Sequence, residues 1–216
     1  MKNVVFIAPP AAGKGTHSNK LKEKYGYEHI STGDLLRNEI NNKTEIGKKV
    51  KAVIDAGNLV EDDIIIKILE SNLKSIAGKL FVLDGFPRNL NQAKKLTEIF
   101  KKLNIDYEVI FLLIDEQEAM KRTLGRIVCS CGKSYNIFNE DFKPKVEGIC
   151  DVCNSKLVKR DDDNEESFKV RFQTFLKNNE PILEYYKKLD KLNVITVNKH
   201  SKFVFEDIEE VINGNY

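Results

Sequence analysis

The 216-residue chain has no tryptophan, two methionines, three histidines and five prolines. It also has no surplus of charge: 35 Lys and Arg stand against 33 Asp and Glu, a formal net charge of +2. So even a balance gives no overall drive toward nucleic acid or an acidic membrane surface. No apolar run approaches the roughly 20 residues needed to span a bilayer. The opening MKNVVFIAPP carries one lysine and a short apolar run, then passes into a glycine loop with no apparent cleavage site. These absences point to a cytosolic protein. With no internal repeat and no low-complexity linker, a chain of this length buries one sizeable core and carries one or two small lobes.

What is present alternates. VVFIA (4–8), YEHIS (27–31), LFVLDGF (80–86), VIFLLID (109–115) and NVITVN (193–198) read as short apolar strands, the first ending at a loop as expected when both faces are buried. Between them lie helical stretches at 17–26, from Ser31 or Thr32 as cap through Ile40, at 45–56, 62–76, 89–103, 116–126 and 163–189, with a closing helix in VFEDIEEVI. Gly26 is the expected stop of the first, and Pro181 is expected to break the long one or begin a new first turn. Strand–helix alternation from end to end predicts parallel βα units covered on both faces. Residues 129–158 have no helical period and read as an insertion between two helices, a lobe on the core.

The stretch IAPPAAGKGT follows the first strand and opens the first helix. Gly13, Lys14, Gly15 and Thr16 supply what a phosphate-cradling loop needs: glycines for tight turning and close approach, a lysine for terminal phosphates, and a hydroxyl near a metal. Two positions that are commonly glycine in such loops are Ala8 and Ala11. Alanine forced into left-handed geometry costs roughly 1–2 kcal/mol, so the expectation is that both sit at negative φ or where a methyl fits. The alternative is a plain strand–helix turn with a surface lysine.

The segments GKGTHSNKL, STGDLLR, AGNLV, LDGFPRNLNQA, GRIV and KRDDDNEESFKVRF resemble the successive motifs of the adenylate kinase family, in the same order and over almost the whole chain. The resemblance implies a P-loop NTPase-like α/β core with a five-stranded parallel sheet and helices on both faces. A small helical NMP-binding lobe and an inserted, zinc-ribbon-like lid would complete it. The implied division is core at 1–30, NMP lobe at 31–61, core at 62–125, lid at 126–163 and core at 164–216. The implied activity is reversible phosphoryl transfer from MgATP to AMP, giving two ADP, in adenine nucleotide homeostasis.

Carried over by resemblance, Lys14 with Ala11, Ala12, Gly13, Gly15 and Thr16 would hold the donor's phosphates. Ser134, Tyr135 and Lys199 would add minor contacts to ATP. Arg37 and Arg88 would grip the AMP phosphate, a task that suits a planar fork. Thr32, Gly85 and Gln92 would read the adenine and its surroundings, with Asn58, Leu59, Val60, Phe86 and Pro87 in the same pocket. Asp84 would hold magnesium through water, and Arg126, Arg160 and Arg171 would converge on the transferring group. Asp162 and Asp163 would position those arginines; read blandly, they are a solvated acidic helix start. His17, His29 and His200 receive no role. A kinase of another monophosphate, such as UMP or CMP, and a non-catalytic nucleotide-binding protein are the competing readings. The retained arginines weigh against the second. The resemblance also implies a monomer.

Cys129, Cys131, Cys150 and Cys153 are the only cysteines and form C-x-C, eighteen residues, then C-x-x-C. Disulfides that staple a fold would not cluster so, and four thiolates at such spacing suit structural zinc. A disulfide and free thiols are the alternatives. Lids in the family usually carry C-x-x-C in both halves, so the shorter first half is expected to cost geometry or affinity. The segment Cys129–Cys153 has three lysines and four acids, which argues against a nucleic-acid-binding ribbon.

Overall fold

The computed structural model describes every residue except Ala56, Gly57 and Asn215. The chain runs β1 (Asn3–Ile7), α1 (Lys14–Tyr25), β2 (Glu28–Ser31), α2 (Thr32–Asn41), α3 (Glu45–Asp55), α4 (Asp62–Ser75), β3 (Phe81–Asp84), α5 (Leu90–Lys102), β4 (Tyr107–Leu113), α6 (Glu116–Leu124), β5 (Arg126–Val128), β6 (Ser134–Asn136), α7 (Glu165–Lys188), β7 (Leu192–Thr196) and α8 (Ser201–Asn213). Five strands form one parallel sheet in the order β2-β3-β1-β4-β7. The predicted five-stranded parallel architecture is the observed one. The end of the 45–56 stretch, and the first two residues of the AGNLV motif, lie outside the described residues.

Two apolar clusters sandwich the sheet. Val5, Ile7, Leu83, Phe100, Val109 and their neighbours pack one face, and Val4, Phe6, Val82, Ile110, Leu112 and theirs pack the other. Alternate residues of β1 thus face opposite clusters, the reason its sequence is apolar throughout. Local signals set the helix ends. Gly26 closes α1 at φ 72, and Ser31 rather than Thr32 caps α2, its hydroxyl accepting from Asp34 N at 3.2 Å.

Two local expectations give way to packing. Pro181 neither breaks nor restarts its helix: α7 runs unbroken from Glu165 to Lys188. Phe168 and Phe172 before the proline are buried in one cluster, Ile182 and Tyr186 after it in the other. Burial of about 1.5–3 kcal/mol per large side chain on both sides outweighs a proline penalty of about 3 kcal/mol. The 116–126 helix stops at Leu124, and Arg126 opens a strand instead. That strand, β5, pairs antiparallel with β6, and bridges Val128–Val158 and Ile149–Lys156 close the cysteine lobe.

β1 is the switch point of the sheet, with β3 on one side and β4 on the other. The crevice beyond its carboxyl end is where an open α/β sheet gathers ligands. Register aligns Phe6 with Asp84 and Ser31 with Asp84, so the loops after β1, β2 and β3 emerge together.

Candidate functional site

The loop after β1 enters α1 through Gly13, whose φ of 97 is left-handed. Gly13 makes no side-chain cap, so the first amides of α1 remain available to an anion. Lys14 turns back over the loop, its Nζ donating to Ala8 O and Pro9 O at 3.1 Å each and lying 4.0 Å from Asp84 Oδ1. Burial pushes the Lys14 ammonium down to about 8; Asp84 works against this, while Arg88, Arg171 and Arg126 add to it. Asp84 ends β3. Burial raises its carboxyl, but Lys14, His29 and Arg88 outweigh that and hold it below its ordinary range. It is therefore an anion at neutral pH.

Of the two alanines, Ala8 meets the negative-φ half of the expectation and Ala11 does not. Ala11 adopts φ 58, in the left-handed region; Ala8 is not among the described residues with positive φ. The loop imposes its curvature on Ala11 despite the steric cost of the methyl. All of Ala11 to Thr16 nevertheless line the main cleft, of about 520 Å³.

A smaller pocket opens beside it, lined by Thr32, Leu36, Arg37, Asn58, Leu59, Val60, Gly85, Phe86, Arg88 and Gln92. Gly85 sits at φ 85, and a Cβ there would lie 2.7 Å from Thr32 Oγ1. Glycine lets β3 close against Thr32, whose hydroxyl donates to Asp84 O at 3.3 Å. Pro87 lines the main cleft. Gln92 is buried, and its side chain joins Arg88 N to Asp62.

Six cations converge on this space. Arg126 donates to both oxygens of the fully buried Asp163, with Nε at 2.7 Å from Oδ2. Arg171 Nη1 reaches Asp162 Oδ2 at 2.9 Å and Asp163 Oδ1 at 3.9 Å. The Arg37 guanidinium reaches Asp34 Oδ1 at 2.5 Å. Arg88 Nε donates to Gly85 O at 2.8 Å. Among the described residues neither Arg88 nor Arg160 forms an ion pair. Burial, reinforced by Arg126 and Arg37, pushes Arg160 down to about 10, and burial does the same to Arg171 despite Asp162. Both remain charged at neutral pH. Lys14 and these five arginines thus exceed Asp34, Asp84, Asp162 and Asp163 by two charges, and the excess faces one cleft. A polyphosphate would neutralise it.

The sequence reading missed several participants. Asp62 takes hydrogen bonds from Asn89, Asn91 and Gln92. His29 Nε2 lies 3.7 Å from Asp84 Oδ2, too long for a hydrogen bond. His17 is buried, and its pKa falls to about 3 because burial disfavours the cation. Arg122 also lines the cleft. An isolated His, Arg or Asp carries no motif, and only the fold brings these groups to the site. Lys199 lines the cleft with its Nζ turned to Asp207 at 2.5 Å, and Ser134 and Tyr135 reach the cleft from β6.

In the cysteine lobe the four thiols are unbonded to one another, so no disulfide forms. Their sulfurs all lie within 4.8 Å of each other, with Cys129–Cys153 at 3.3 Å and Cys131–Cys150 at 3.7 Å. A tetrahedral ion with metal–sulfur bonds near 2.3 Å would separate its sulfurs by about 3.8 Å. Both halves, the short C-x-C and the C-x-x-C, thus bring their sulfurs into one cluster. Tyr135 Oη accepts from Asp151 N at 2.8 Å and lies 3.4 Å from Cys150 Sγ.

A sequence model of adenylate kinase matches residues 6–191. The chain belongs to the adenylate kinase family. Among its relatives, the adenylate kinase of Thermosipho africanus is 44% identical over 214 residues, 98% of each chain. That of Fervidobacterium nodosum is 40% identical over 215 residues, again 98% of each. That of Acetivibrio thermocellus is 44% identical over 215 residues, 98% of this chain and 96% of the other. As a member of the adenylate kinase family the chain is a nucleoside monophosphate kinase, a phosphotransferase acting between adenine nucleotides.

Proposed function

We propose that the main cleft takes MgATP, the smaller pocket takes AMP, and transfer between them yields two ADP. The observation that carries this is that Lys14, Arg88 and Arg160, none matched by a strong ion pair, all line the main cleft, with Arg88 lining the smaller pocket as well. Phosphoryl transfer requires alignment and positive charge around the equatorial oxygens rather than a covalent intermediate on the protein. In this reading Lys14 and the amides of Ala11 to Thr16 hold the donor's β- and γ-phosphates. Arg37 and Arg88 hold the acceptor phosphate in line. Arg126, Arg160 and Arg171 gather the charge of the group in flight, with Asp162 and Asp163 fixing two of them. Asp84, ionised at the carboxyl end of β3, suits a hydrated magnesium ion. Magnesium would supply charge neutralisation between the β- and γ-phosphates.

The reading also takes residues 31–61 as a movable acceptor lobe and 126–163 as a lid whose closure excludes water. Four convergent sulfurs suit zinc in a closed site that stabilises this lid, which has few apolar groups of its own. A cytosolic location, drawn from the sequence's lack of a spanning run or cleavage site, and a monomer, carried by the resemblance alone, complete the reading. Among the described residues no helix is long and apolar enough to cross a membrane. The test is ADP formation from MgATP with AMP, CMP, UMP or GMP as acceptor, on protein purified without chelator. Turnover with AMP alone is the expected result. A preference for a pyrimidine would overturn the acceptor, and no turnover from folded protein would overturn the reading.

A further inference from the structure

The smaller pocket is an apolar slot of Leu36, Ile54, Leu59, Val60 and Ile65 with one buried amide, Gln92, and it opens toward Arg37 and Arg88. That combination fits a base with its phosphate at the arginines. Which way the Gln92 amide points decides which base edge it can meet, and the orientation is fixed by two neighbours of opposite character. Gln92 Oε1 accepts from Arg88 N at 2.7 Å, and Gln92 Nε2 donates to Asp62 Oδ1 at 2.7 Å. A backbone N–H can only donate and a carboxylate can only accept. Reversing the amide would set oxygen against carboxylate and NH2 against N–H, two repulsive contacts in a buried place.

We propose that Asp62 is a positioning residue that locks the Gln92 amide in one orientation and thereby makes the acceptor pocket choose adenine over hypoxanthine. The proposal rests on the reading that this pocket takes the acceptor's base. After its two fixed bonds, Gln92 keeps one N–H and one oxygen lone pair. Adenine offers the matching edge: ring N1 accepts and the exocyclic amino group donates. Hypoxanthine reverses both, with N1–H donating and O6 accepting, so it would require the reversed amide. A site built around fixed hydrogen bonds rejects the mismatched ligand strongly, because its own polar groups are left unpaired.

Asp62 is itself well held. Besides Gln92 it receives Asn89 Nδ2 at 3.0 Å on Oδ1 and Asn91 Nδ2 at 2.7 Å on Oδ2. Burial raises its carboxyl, yet these three amides outweigh that and keep it ionised, hence acceptor-only. The group sits in the first turn of α4, and Asn89 caps α5, so one carboxylate ties the helix ends that flank the pocket.

The experiment compares kcat/KM for AMP and IMP, with MgATP as donor, in the wild type, Asp62→Asn and Asn91→Ala. An asparagine at 62 can present either its oxygen or its NH2, which removes one of the two repulsive contacts that a reversed Gln92 amide would meet and leaves only the one with Arg88 N. The wild type is expected to prefer AMP by about 100-fold or more, and Asp62→Asn to lose about tenfold or more of that ratio. The KM for ATP should stay unchanged. Asn91→Ala removes a tie between α4 and α5 without freeing Gln92 and should keep the ratio. A purely structural Asp62 would lower both rates together in Asp62→Asn and leave the ratio intact, which overturns the proposal. If that variant does not fold, competition binding of AMP and IMP to the wild type decides, since equal affinities overturn the proposal directly. Absence of AMP turnover in the wild type would instead sink the acceptor reading, and the proposal with it.

Discussion

Ala11 stands at φ 58, where a Cβ crowds the following carbonyl, whereas Ala8 is not among the positive-φ residues. The two alanines of the phosphate loop should therefore respond to glycine with opposite signs. In Ala11→Gly the folded state is relieved of roughly 1–2 kcal/mol of left-handed strain. Glycine also gives the unfolded chain more freedom, which returns about 0.4–1 kcal/mol to the unfolded side. The net is a gain of about 1 kcal/mol, or roughly 2–4 °C in Tm for a domain of this size. Ala8→Gly has no strain to relieve. It adds unfolded-state freedom and removes a methyl packed against the cluster around Phe6 and Leu112, so it should lose about 1 kcal/mol. Calorimetry of the nucleotide-free wild type and both variants measures the pair. A fall in Tm for Ala11→Gly, or the same sign at both positions, would refute the argument that Ala11 is strained.

Asp163 is fully buried against Arg126, so Asp163→Asn should destabilise by about 3 kcal/mol and depress kcat more than the KM for either nucleotide, read by urea unfolding and steady-state rates. Lys14 titrates near 8 in the folded protein, against about 10.4 when unfolded. Between those values the unfolded chain binds more protons, so the wild type should gain stability relative to Lys14→Met as pH rises from 8 to about 10.4. The gain has an upper bound of about 3 kcal/mol, and a flat difference across that window would contradict the burial argument. For the cysteine lobe, one zinc per chain is expected by metal analysis. Tyr135→Phe, which removes the hydroxyl 3.4 Å from Cys150 Sγ, should weaken zinc about 10- to 100-fold in a chelator competition.

Strand–helix alternation and the apolar runs determined the parallel five-stranded core, because a strand buried on both faces must be apolar along its length. The arginines, spread from Arg37 to Arg171, were legible through the family motifs that hold them, and the loop GKGT and the cysteine spacing through their own chemistry. Each of the last two is a dense group of chemically demanding residues at short range, which few alternative structures explain. The sequence named Asp162 and Asp163 as partners for arginines through the family resemblance, although the arginines they meet are Arg171 and Arg126 and not the nearby Arg160. What it could not decide was anything set by contacts distant in sequence or by competition between local preference and burial. Pro181 reads as a helix break until Phe168, Phe172, Ile182 and Tyr186 are seen anchoring both halves of α7. Ala11 reads as a residue that avoids positive φ until the loop closes over Lys14. Asp62, thirty positions from Gln92, becomes its orienting partner only once α4 and α5 start side by side. Local chemistry is written in the order of residues, but the direction of a hydrogen bond across the fold depends on which chain segments packing brings together.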